Sequence, residues 1–347
     1  MGLAALALVP LSSRHLDLLP GFPALEIWAQ WDAEHYVSIA ANGYDAPTDS
    51  FSNITFFPLY PWLMRLLALP FGSVTEQSAA LAGLLISNVS LFVALVYLVA
   101  LVTRDLEAST ARRTVLYVLV FPTTMFLSSV YAESLFLATA VACIYHARRG
   151  EWYRAGLAGG LGALTRPFGI LLAAPMLVEL VRQRAPARAW PPILLVPAGL
   201  AVFFGFLWWQ FGDPLAYLVA GRGWGRGFHF PWETLAGYIR GPIVAFDWPY
   251  SWLDLVSMAL MFVVVIAGWR ALPRSYSAYA LAAVAFALCT GTAWFSASRH
   301  ALAVFPIIIS LAVFGGRSRA FNAVWLVLSV LLALAFIARE AVGYWVA

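Results

Sequence analysis

Charged side chains are scarce in this sequence, and lysine is missing altogether. Only 11% of the 347 residues are charged, whereas 62% are hydrophobic. A soluble domain carries roughly 25% charged residues, so the polar surface here is too small to cover a water-exposed globule of this size. We therefore expect lipid to solvate most of the chain. Backbone groups find no water in lipid, and the apolar runs are about twice the length of barrel strands, so we predict α-helical spans.

Other absences exclude several functional classes. The two cysteines, Cys143 and Cys289, lie within apolar runs, where buried thiols are expected, and no CxxC or Cys/His spacing for zinc is present. The 21 basic residues are all arginines and are spread along the chain, which argues against nucleic-acid binding. We predict neither a metal nor a cofactor.

Long apolar runs alternate with short polar connections and predict eleven helices. These lie near residues 1–12, 77–102, 112–128, 131–147, 152–165, 167–182, 191–210, 252–269, 276–294, 299–315 and 320–338. The first run covers only about half a bilayer, so we interpret it as the end of a spanning helix. No internal repeat is visible, and we expect one membrane domain over residues 1–347.

The arginines indicate how the chain is oriented. They cluster in alternate loops, as the positive-inside rule expects of cytoplasmic loops. The remaining loops are then extracytoplasmic, and two of them are long: outer loop 1, residues 13–75, and outer loop 2, residues 211–251. The alternation stays in phase only if the apolar, proline-interrupted segment 54–71 does not cross fully, so we predict an interfacial or re-entrant helix there.

Outer loop 1 contains the segment Trp31-Asp32-Ala33-Glu34-His35-Tyr36. Asp32 and His35 are three positions apart and would share one face of a helix. A carboxylate beside aromatic rings at the membrane interface is partly desolvated, which would raise its pKa toward a value suited to a general base. The alternative is an interfacial belt, in which Trp31 and Tyr36 anchor the loop and Asp32 and Glu34 are hydrated.

Four ionisable residues fall at predicted helix ends that the same topology places outside. They are Glu133, Arg166, Arg299 and His300. Ionisable groups at such positions are costly unless they are paired or hydrated, so each is a functional hypothesis by default. Snorkelling or a purely structural Glu–Arg pair is the alternative for each of them.

Two aromatic segments add further candidates. Arg222, Arg226 and His229 of outer loop 2 lie beside tryptophans, and guanidinium with indole suits an anionic headgroup or a sugar. The segment 56–62, rich in aromatics and proline, is explained by an interfacial turn. Its Tyr60 could also line a lipid groove.

Arginines at one face above an apolar bundle suit a phospholipid whose tail lies in the bilayer, and a nearby carboxylate suits proton removal from an alcohol. An isoprenoid-phosphate sugar donor meets both needs, with arginines stabilising the leaving phosphate. The alternative of another class is a polytopic lipid or solute transporter or flippase, which would favour ionisable residues near the midplane and two related halves.

Six blocks, in this order, resemble the PIG-V family, the second mannosyltransferase of GPI-anchor synthesis. They are Trp31-Asp32-x-x-His35-Tyr36-x-x-Ile39-Ala40-x-x-Gly43-Tyr44, Phe56-Phe57-Pro58-Leu59-Tyr60-Pro61, Tyr131-Ala132-Glu133-Ser134-Leu135-Phe136, Thr165-Arg166-Pro167-x-Gly169, Gly212-Asp213-Pro214-Leu215-Ala216-Tyr217 and Ser298-Arg299-His300-x-Leu302-x-x-Phe305-Pro306. The resemblance implies an all-α polytopic protein of the GT-C glycosyltransferase fold, with about 10–11 transmembrane helices and interfacial helices in its first outer loop.

The resemblance also implies a polyprenyl- or dolichyl-phosphate-mannose donor, inversion at the sugar, and an acidic base in the first outer loop, which Asp32 matches. The Ala-rich, all-Arg composition is typical of high-GC prokaryotes, which do not normally make GPI anchors, so the family's acceptor is not transferred to this chain.

The hypothesis from sequence is therefore a multi-pass membrane mannosyltransferase with its site on the extracytoplasmic side, acting on a lipid-linked or glycan hydroxyl. The candidate catalytic residues are Asp32, Glu34 and His35. The candidate substrate-binding residues are Trp31, Tyr36, Tyr60, Glu133, Arg166, Arg222, Arg226, His229, Arg299 and His300.

Overall fold

The computed structural model describes residues 16–48, 52–240, 251–291, 294 and 296–346. Within these ranges the regular structure is helical, apart from isolated bridge residues such as the antiparallel pair Phe228 and Thr290. The predicted all-α class is thereby confirmed, while the helix expected at 1–12 lies outside the described residues. The α-helices are α1 Pro23–Glu26, α2 Ala33–Asn42, α3 Leu59–Ala68, α4 Glu76–Asp105, α5 Ala108–Leu119, α6 Glu133–Arg148, α7 Trp152–Thr165, α8 Ala173–Arg182, α9 Leu195–Phe211, α10 Ala216–Gly223, α11 Pro231–Arg240, α12 Trp252–Gly268, α13 Arg274–Cys289, α14 Ala297–Ala303, α15 Pro306–Arg317 and α16 Arg319–Ala341.

The helices follow the apolar runs but are broken more often than the runs suggest. The run 112–128 contains α5 and then a separate 3₁₀ turn over Thr124–Leu127. The run 299–315 is divided between α14 and α15, which meet at an angle of 85°. The chain leaves the helical conformation at Val304, which has a φ of −97° and a ψ of 58°. Pro306 then opens α15, at a position where the missing N–H of proline costs no helical hydrogen bond.

Length and composition identify the strongest candidates for membrane spans. Three described helical segments are long and apolar enough to cross a bilayer, namely Glu76–Asp105, Ala187–Phe211 and Arg319–Ala341. The bent α14–α15 pair is either a broken fourth span or a re-entrant loop. This number is below the predicted 10–11 because other apolar helices, such as α12 and α13, are shorter. Helix α3 has ten residues, roughly 15 Å at 1.5 Å per residue, too short to cross, as expected of an interfacial or re-entrant segment.

The bundle is built around α6, which is buried along most of its length. It packs between α4 and α7, and α7 packs in turn against α9. Helices α2 and α3 lie together on α4, while α12 contacts both α14 and α15. This arrangement brings the start of α6, the end of α7 and the region before α2 toward α14.

A charged cluster joins helices at the far end of α6. Arg148, the last residue of α6, pairs with Asp105 of α4 and with Glu179 of α8, the latter at 2.9 Å. Tyr276 of α13 donates a hydrogen bond to Asp105 at 2.6 Å. Because each buried charge has a partner, four helices are held in one arrangement at this end.

Helices α7 and α9 touch through glycine. A Cβ placed at Gly199 of α9 would lie 2.1 Å from the carbonyl oxygen of Gly160 of α7. A Cβ placed at Gly156 would meet the carbonyl oxygen of Pro192 at the same distance. Backbone therefore meets backbone, as small residues allow where helices pack in a membrane.

We predict that Gly199→Ala will destabilise the protein by roughly 1–3 kcal/mol, because the added methyl group forces α7 and α9 apart. Thermal unfolding in detergent measures the effect. Gly205→Ala on the same helix is the matched control, since nothing lies within 4 Å of its Cβ position. Equal stability of the two variants would show that the close approach is unimportant.

Candidate active site

Asp32 occupies a constrained position just before α2. The preceding residue, Trp31, has a φ of 57°, a left-handed conformation that is uncommon outside glycine and often found at functional sites. The Tyr131 hydroxyl accepts a hydrogen bond from the Asp32 backbone N–H at 3.2 Å and donates one to the Gln30 carbonyl at 3.0 Å. A residue close to the start of α6 thus sets the backbone around Asp32.

Asp32 forms an ion pair with Arg299 of α14. Arg299 Nη1 donates to Asp32 Oδ2 at 2.8 Å, across a separation of 267 residues. The arginine side chain is 8% exposed and the aspartate side chain 16%. The pair is therefore largely desolvated, yet part of the carboxylate can still be reached.

Two more charged groups continue this pair. Arg299 Nε lies 3.1 Å from Glu133 Oε1, and Arg166 Nη1 donates to the same oxygen at 2.5 Å. Glu133 is the first residue of α6, where the helix dipole favours a carboxylate, and Arg166 follows directly after α7. The charges alternate along the row Asp32–Arg299–Glu133–Arg166, which we call the charge row.

The pKa of Asp32 is shifted in the direction opposite to the one that its sequence context suggested. Burial raises the pKa of Asp32, but the charge and hydrogen bond of Arg299 outweigh this effect, and His35 and Arg226 add to it, so the pKa lies below the ordinary 3.8. The expected rise in the pKa is therefore wrong. The physical reason is the buried Arg299 partner, which stabilises the anion more than burial disfavours it.

Arg299 is enclosed by three aromatic rings, which we call the aromatic cage. Its guanidinium carbon lies 5.3 Å from the ring centres of Phe126 and Tyr131 and 5.5 Å from that of Trp345. The cage explains how a cation can sit in apolar surroundings. Sequence reasoning missed Trp345, because an aromatic residue near a helix end carries no signal that separates it from an interfacial anchor.

Outer loop 2 reaches the same region through aromatic contacts. His35 stacks on Phe56 with ring centres 4.6 Å apart and meets the edge of Trp224 at 5.4 Å. The Arg226 guanidinium lies over the Trp224 ring at 5.7 Å. Because Trp224 contacts His35, three residues after Asp32, the Arg226 charge approaches the segment that carries Asp32, and it helps to lower the pKa of Asp32.

Three other residues predicted from the sequence pack around the charge row but are not members of it. Tyr36 is buried and meets Tyr60 edge-on at 5.1 Å, and the Tyr60 hydroxyl donates to the Gly83 carbonyl at 2.9 Å. Both rings pack the helices behind Asp32. The His300 ring is tilted by 42° against the Phe168 ring, with ring centres 5.2 Å apart.

The remaining candidates lie to the side. Glu34 is half-buried in the first turn of α2. Arg222 is exposed near the end of α10, and His229 Nδ1 lies 3.9 Å from a carboxylate oxygen of Glu233, which is not part of the charge row. Among the predicted residues, the structure thus brings Asp32, Glu133 and Arg166 together with Arg299 and leaves Arg222 and His229 apart.

Asp254 is a site residue that sequence reasoning did not identify. It is 7% exposed on α12, and its carboxylate accepts a hydrogen bond from the Ala297 backbone N–H at 2.8 Å. Ala297 is the first residue of α14, the helix that carries Arg299. The sequence does show an acidic residue within an apolar run, which could have marked Asp254 as a candidate. It does not show that Asp254 bonds to the start of α14.

Comparison with solved structures identifies the class of fold. ArnT from Cupriavidus metallidurans in its apo state aligns with a TM-score of 0.51 at 14% identity, over 89% of this chain and 72% of that one. The archaeal oligosaccharyltransferase AglB from Archaeoglobus fulgidus, in complex with an inhibitory peptide and a dolichol-phosphate, gives 0.45 at 12% identity, over 93% and 52%. The likeness to ArnT confirms the predicted GT-C fold.

The match to a protein family covers less of the chain than the structural alignments, but it is more specific about function. The family model described as Mannosyltransferase (PIG-V) matches residues 23–184, which confirms the resemblance seen in the sequence motifs. The matched segment contains Asp32, Glu133 and Arg166 and ends before α14. A comparison with curated protein sequences gave no match. The family match and the fold together support a membrane glycosyltransferase.

We predict that Asp254→Ala will lower stability by about 1–3 kcal/mol, since the Ala297 N–H loses its acceptor, and will reduce glycosyl transfer by displacing α14. Asp254→Asn should keep most of both, because the amide oxygen can accept the same hydrogen bond. Unfolding in detergent and transfer assays measure the two effects. Equal losses in both variants would contradict the hydrogen-bonding role.

The pH dependence of stability tests the Asp32–Arg299 pair. A carboxylate whose folded pKa is depressed contributes stability above its unfolded pKa, about 3.9 for aspartate, and loses it as the pH falls through the folded value. We expect the wild type to unfold at a higher temperature than Asp32→Asn at pH 7, and the difference to shrink below about pH 4. A difference that stays constant down to pH 3 would argue against the pair.

Proposed function

We propose that this protein transfers a mannosyl residue from polyprenyl-phosphate-mannose to a hydroxyl group of a lipid-linked or glycan acceptor. The observation that carries the proposal is the Asp32–Arg299 pair, a partly accessible carboxylate 2.8 Å from a caged guanidinium. The pair places a carboxylate that can accept a proton next to a guanidinium that can bind a phosphate. The match to the mannosyltransferase family supports the choice of sugar.

Asp32 is the proposed general base. The acceptor oxygen attacks the anomeric carbon, the bond from that carbon to the phosphate oxygen breaks, and the hydroxyl proton passes to Asp32. Polyprenyl phosphate leaves with the bonding electrons, and a single displacement inverts the anomeric configuration. The low pKa keeps Asp32 ionised at neutral pH, so the base is ready to accept the proton.

Arg299 is the proposed partner of the donor phosphate, with Arg226 and Arg166 contributing positive charge. The charge row is formally neutral, and Arg226 adds one positive charge beside it, so an anion is favoured there. A phosphate bound to Arg299 would also share the charge that now stabilises the Asp32 anion. The pKa of Asp32 would then rise, and the carboxylate would become a stronger base only when the donor is present.

The proposed site lies on the extracytoplasmic side. Glu133 and Arg148 mark the two ends of α6, whose 16 residues span roughly 24 Å at 1.5 Å per residue. The Arg148 end carries the arginine-rich loop that the positive-inside rule assigns to the cytoplasm. The Glu133 end, with the charge row, then faces outward, where outer loops 1 and 2 supply Asp32 and Arg226.

A transporter or flippase was the alternative from sequence. It would favour ionisable groups near the middle of the spans. The charge row instead lies at helix ends, since Glu133 opens α6 and Arg166 follows α7. This placement favours the transferase.

The experiment supplies purified protein with polyprenyl-phosphate-mannose and a membrane lipid extract as the source of acceptor. We expect mannose transfer by the wild type and a loss of roughly 10²–10⁴-fold in Asp32→Asn, the usual contribution of a general base. Asp45→Asn is the matched control, because Asp45 is exposed beyond the other end of α2 and should keep full activity.

Two results would overturn the proposal. The first is that the wild type transfers no mannose from this donor, and the second is that Asp32→Asn transfers as fast as the wild type. Analysis of the product's anomeric configuration tests inversion independently, since retention would require a covalent intermediate and a different role for Asp32.

A further inference from the structure

We propose that the C-terminal segment 342–346 belongs to the donor site, where Trp345 positions the Arg299 guanidinium to receive the donor phosphate. The inference rests on the proposed function, since it assigns a further residue to the phosphate-binding part of that site. Trp345 acts through Arg299 and is therefore a positioning residue.

The chain turns back toward the site directly after α16. Gly343 has a φ of 82°, a left-handed conformation that suits glycine, and its N–H donates to the Glu340 carbonyl at 2.9 Å. The Tyr344 N–H donates to the Arg339 carbonyl at 3.1 Å, and Arg339 Nε donates to the Trp345 carbonyl at 3.0 Å. These bonds hold the segment against the end of α16.

The reversal brings the Trp345 ring into contact with Arg299 and with Trp31, the residue before Asp32. Its ring centre lies 5.5 Å from the Arg299 guanidinium carbon and 5.7 Å from the ring centre of Trp31, which it meets edge-on. It also contacts Phe126 at 6.2 Å. The next residue, Val346, is only 1% exposed and anchors the segment in the core.

The cage restrains Arg299 without using its hydrogen-bond donors. Arginine carries five N–H groups. Nη1 donates to Asp32, and Nε faces Glu133 at 3.1 Å. The buried Nε has no hydrogen-bond partner in the described ranges. An aromatic face attracts the cation without consuming an N–H, so the cage itself occupies none of the donors that a phosphate oxygen would need.

Trp345 supplies a wall of the cage from a different part of the chain than the other two rings. Phe126 and Tyr131 come from one stretch of chain before α6, whereas Trp345 comes from the far end of the sequence. Without it, the guanidinium keeps its carboxylate partners but loses one of the surfaces that limit its tilt. Tryptophan also gives the strongest cation–π attraction among the aromatic residues.

The test measures transfer kinetics for Trp345→Ala and Trp345→Phe while the concentrations of polyprenyl-phosphate-mannose and acceptor are varied separately. We expect Trp345→Ala to raise the KM for the donor roughly 2–30-fold, the range of a cation–π contact, with the KM for the acceptor unchanged. Trp345→Phe, which keeps a ring, should recover much of the loss. Trp269→Ala is the control, since Trp269 is 46% exposed beyond the far end of α12.

A purely structural role for Trp345 would give a different pattern. Partial unfolding lowers kcat with the loss of active protein but leaves the donor KM unchanged, and that outcome would overturn the inference. Equal losses in Trp345→Ala and Trp345→Phe would also overturn it.

A second measurement keeps the inference separate from the proposed reaction. Polyprenyl phosphate without a sugar is added to purified protein in detergent, and the rise in unfolding temperature is recorded. A smaller rise for Trp345→Ala than for wild type and Trp269→Ala supports the inference even if no mannose is transferred, in which case only the proposed function fails. An equal rise in all three proteins would overturn the inference.

Discussion

The buried pairing of Asp32 with Arg299 is the interaction on which the rest of this site depends. Neither charge could stay in such apolar surroundings alone, because removing one partner leaves the other desolvated and uncompensated. The requirement extends along the charge row, since Arg299 also compensates Glu133, and Glu133 compensates Arg166. Four segments far apart in sequence are therefore held in a single arrangement by the need to neutralise charge.

Buried charges are neutralised at both ends of α6, but the two clusters differ in how far they are closed to solvent. At one end, Arg148 is enclosed by Asp105 and Glu179, with Tyr276 completing the cluster, so its carboxylate partners are all on neighbouring helices. At the other end, the Asp32 carboxylate keeps part of its surface exposed, and the Arg226 charge lies nearby. The first cluster suits a structural joint, and the second suits a place where a charged substrate enters.

Much of the site was predictable from residue types and positions. Asp32, Glu133, Arg166 and Arg299 were all expected at one face, because the arginine-rich loops assign the opposite ends of the helices to the cytoplasm. Their order along the charge row was not predictable. The pKa of Asp32 was expected to rise on desolvation, and it falls because one particular arginine lies within hydrogen-bonding distance.

The sequence by itself determined that the chain is a helical membrane protein, where most helices lie, and which motifs resemble a mannosyltransferase. These properties follow from composition and local order, which need no knowledge of distant contacts. Only the tertiary structure decided that Arg299 pairs with Asp32, that Asp254 holds the start of α14, and that Trp345 completes the aromatic cage. Such contacts join residues tens to hundreds of positions apart, so they depend on how the helices pack.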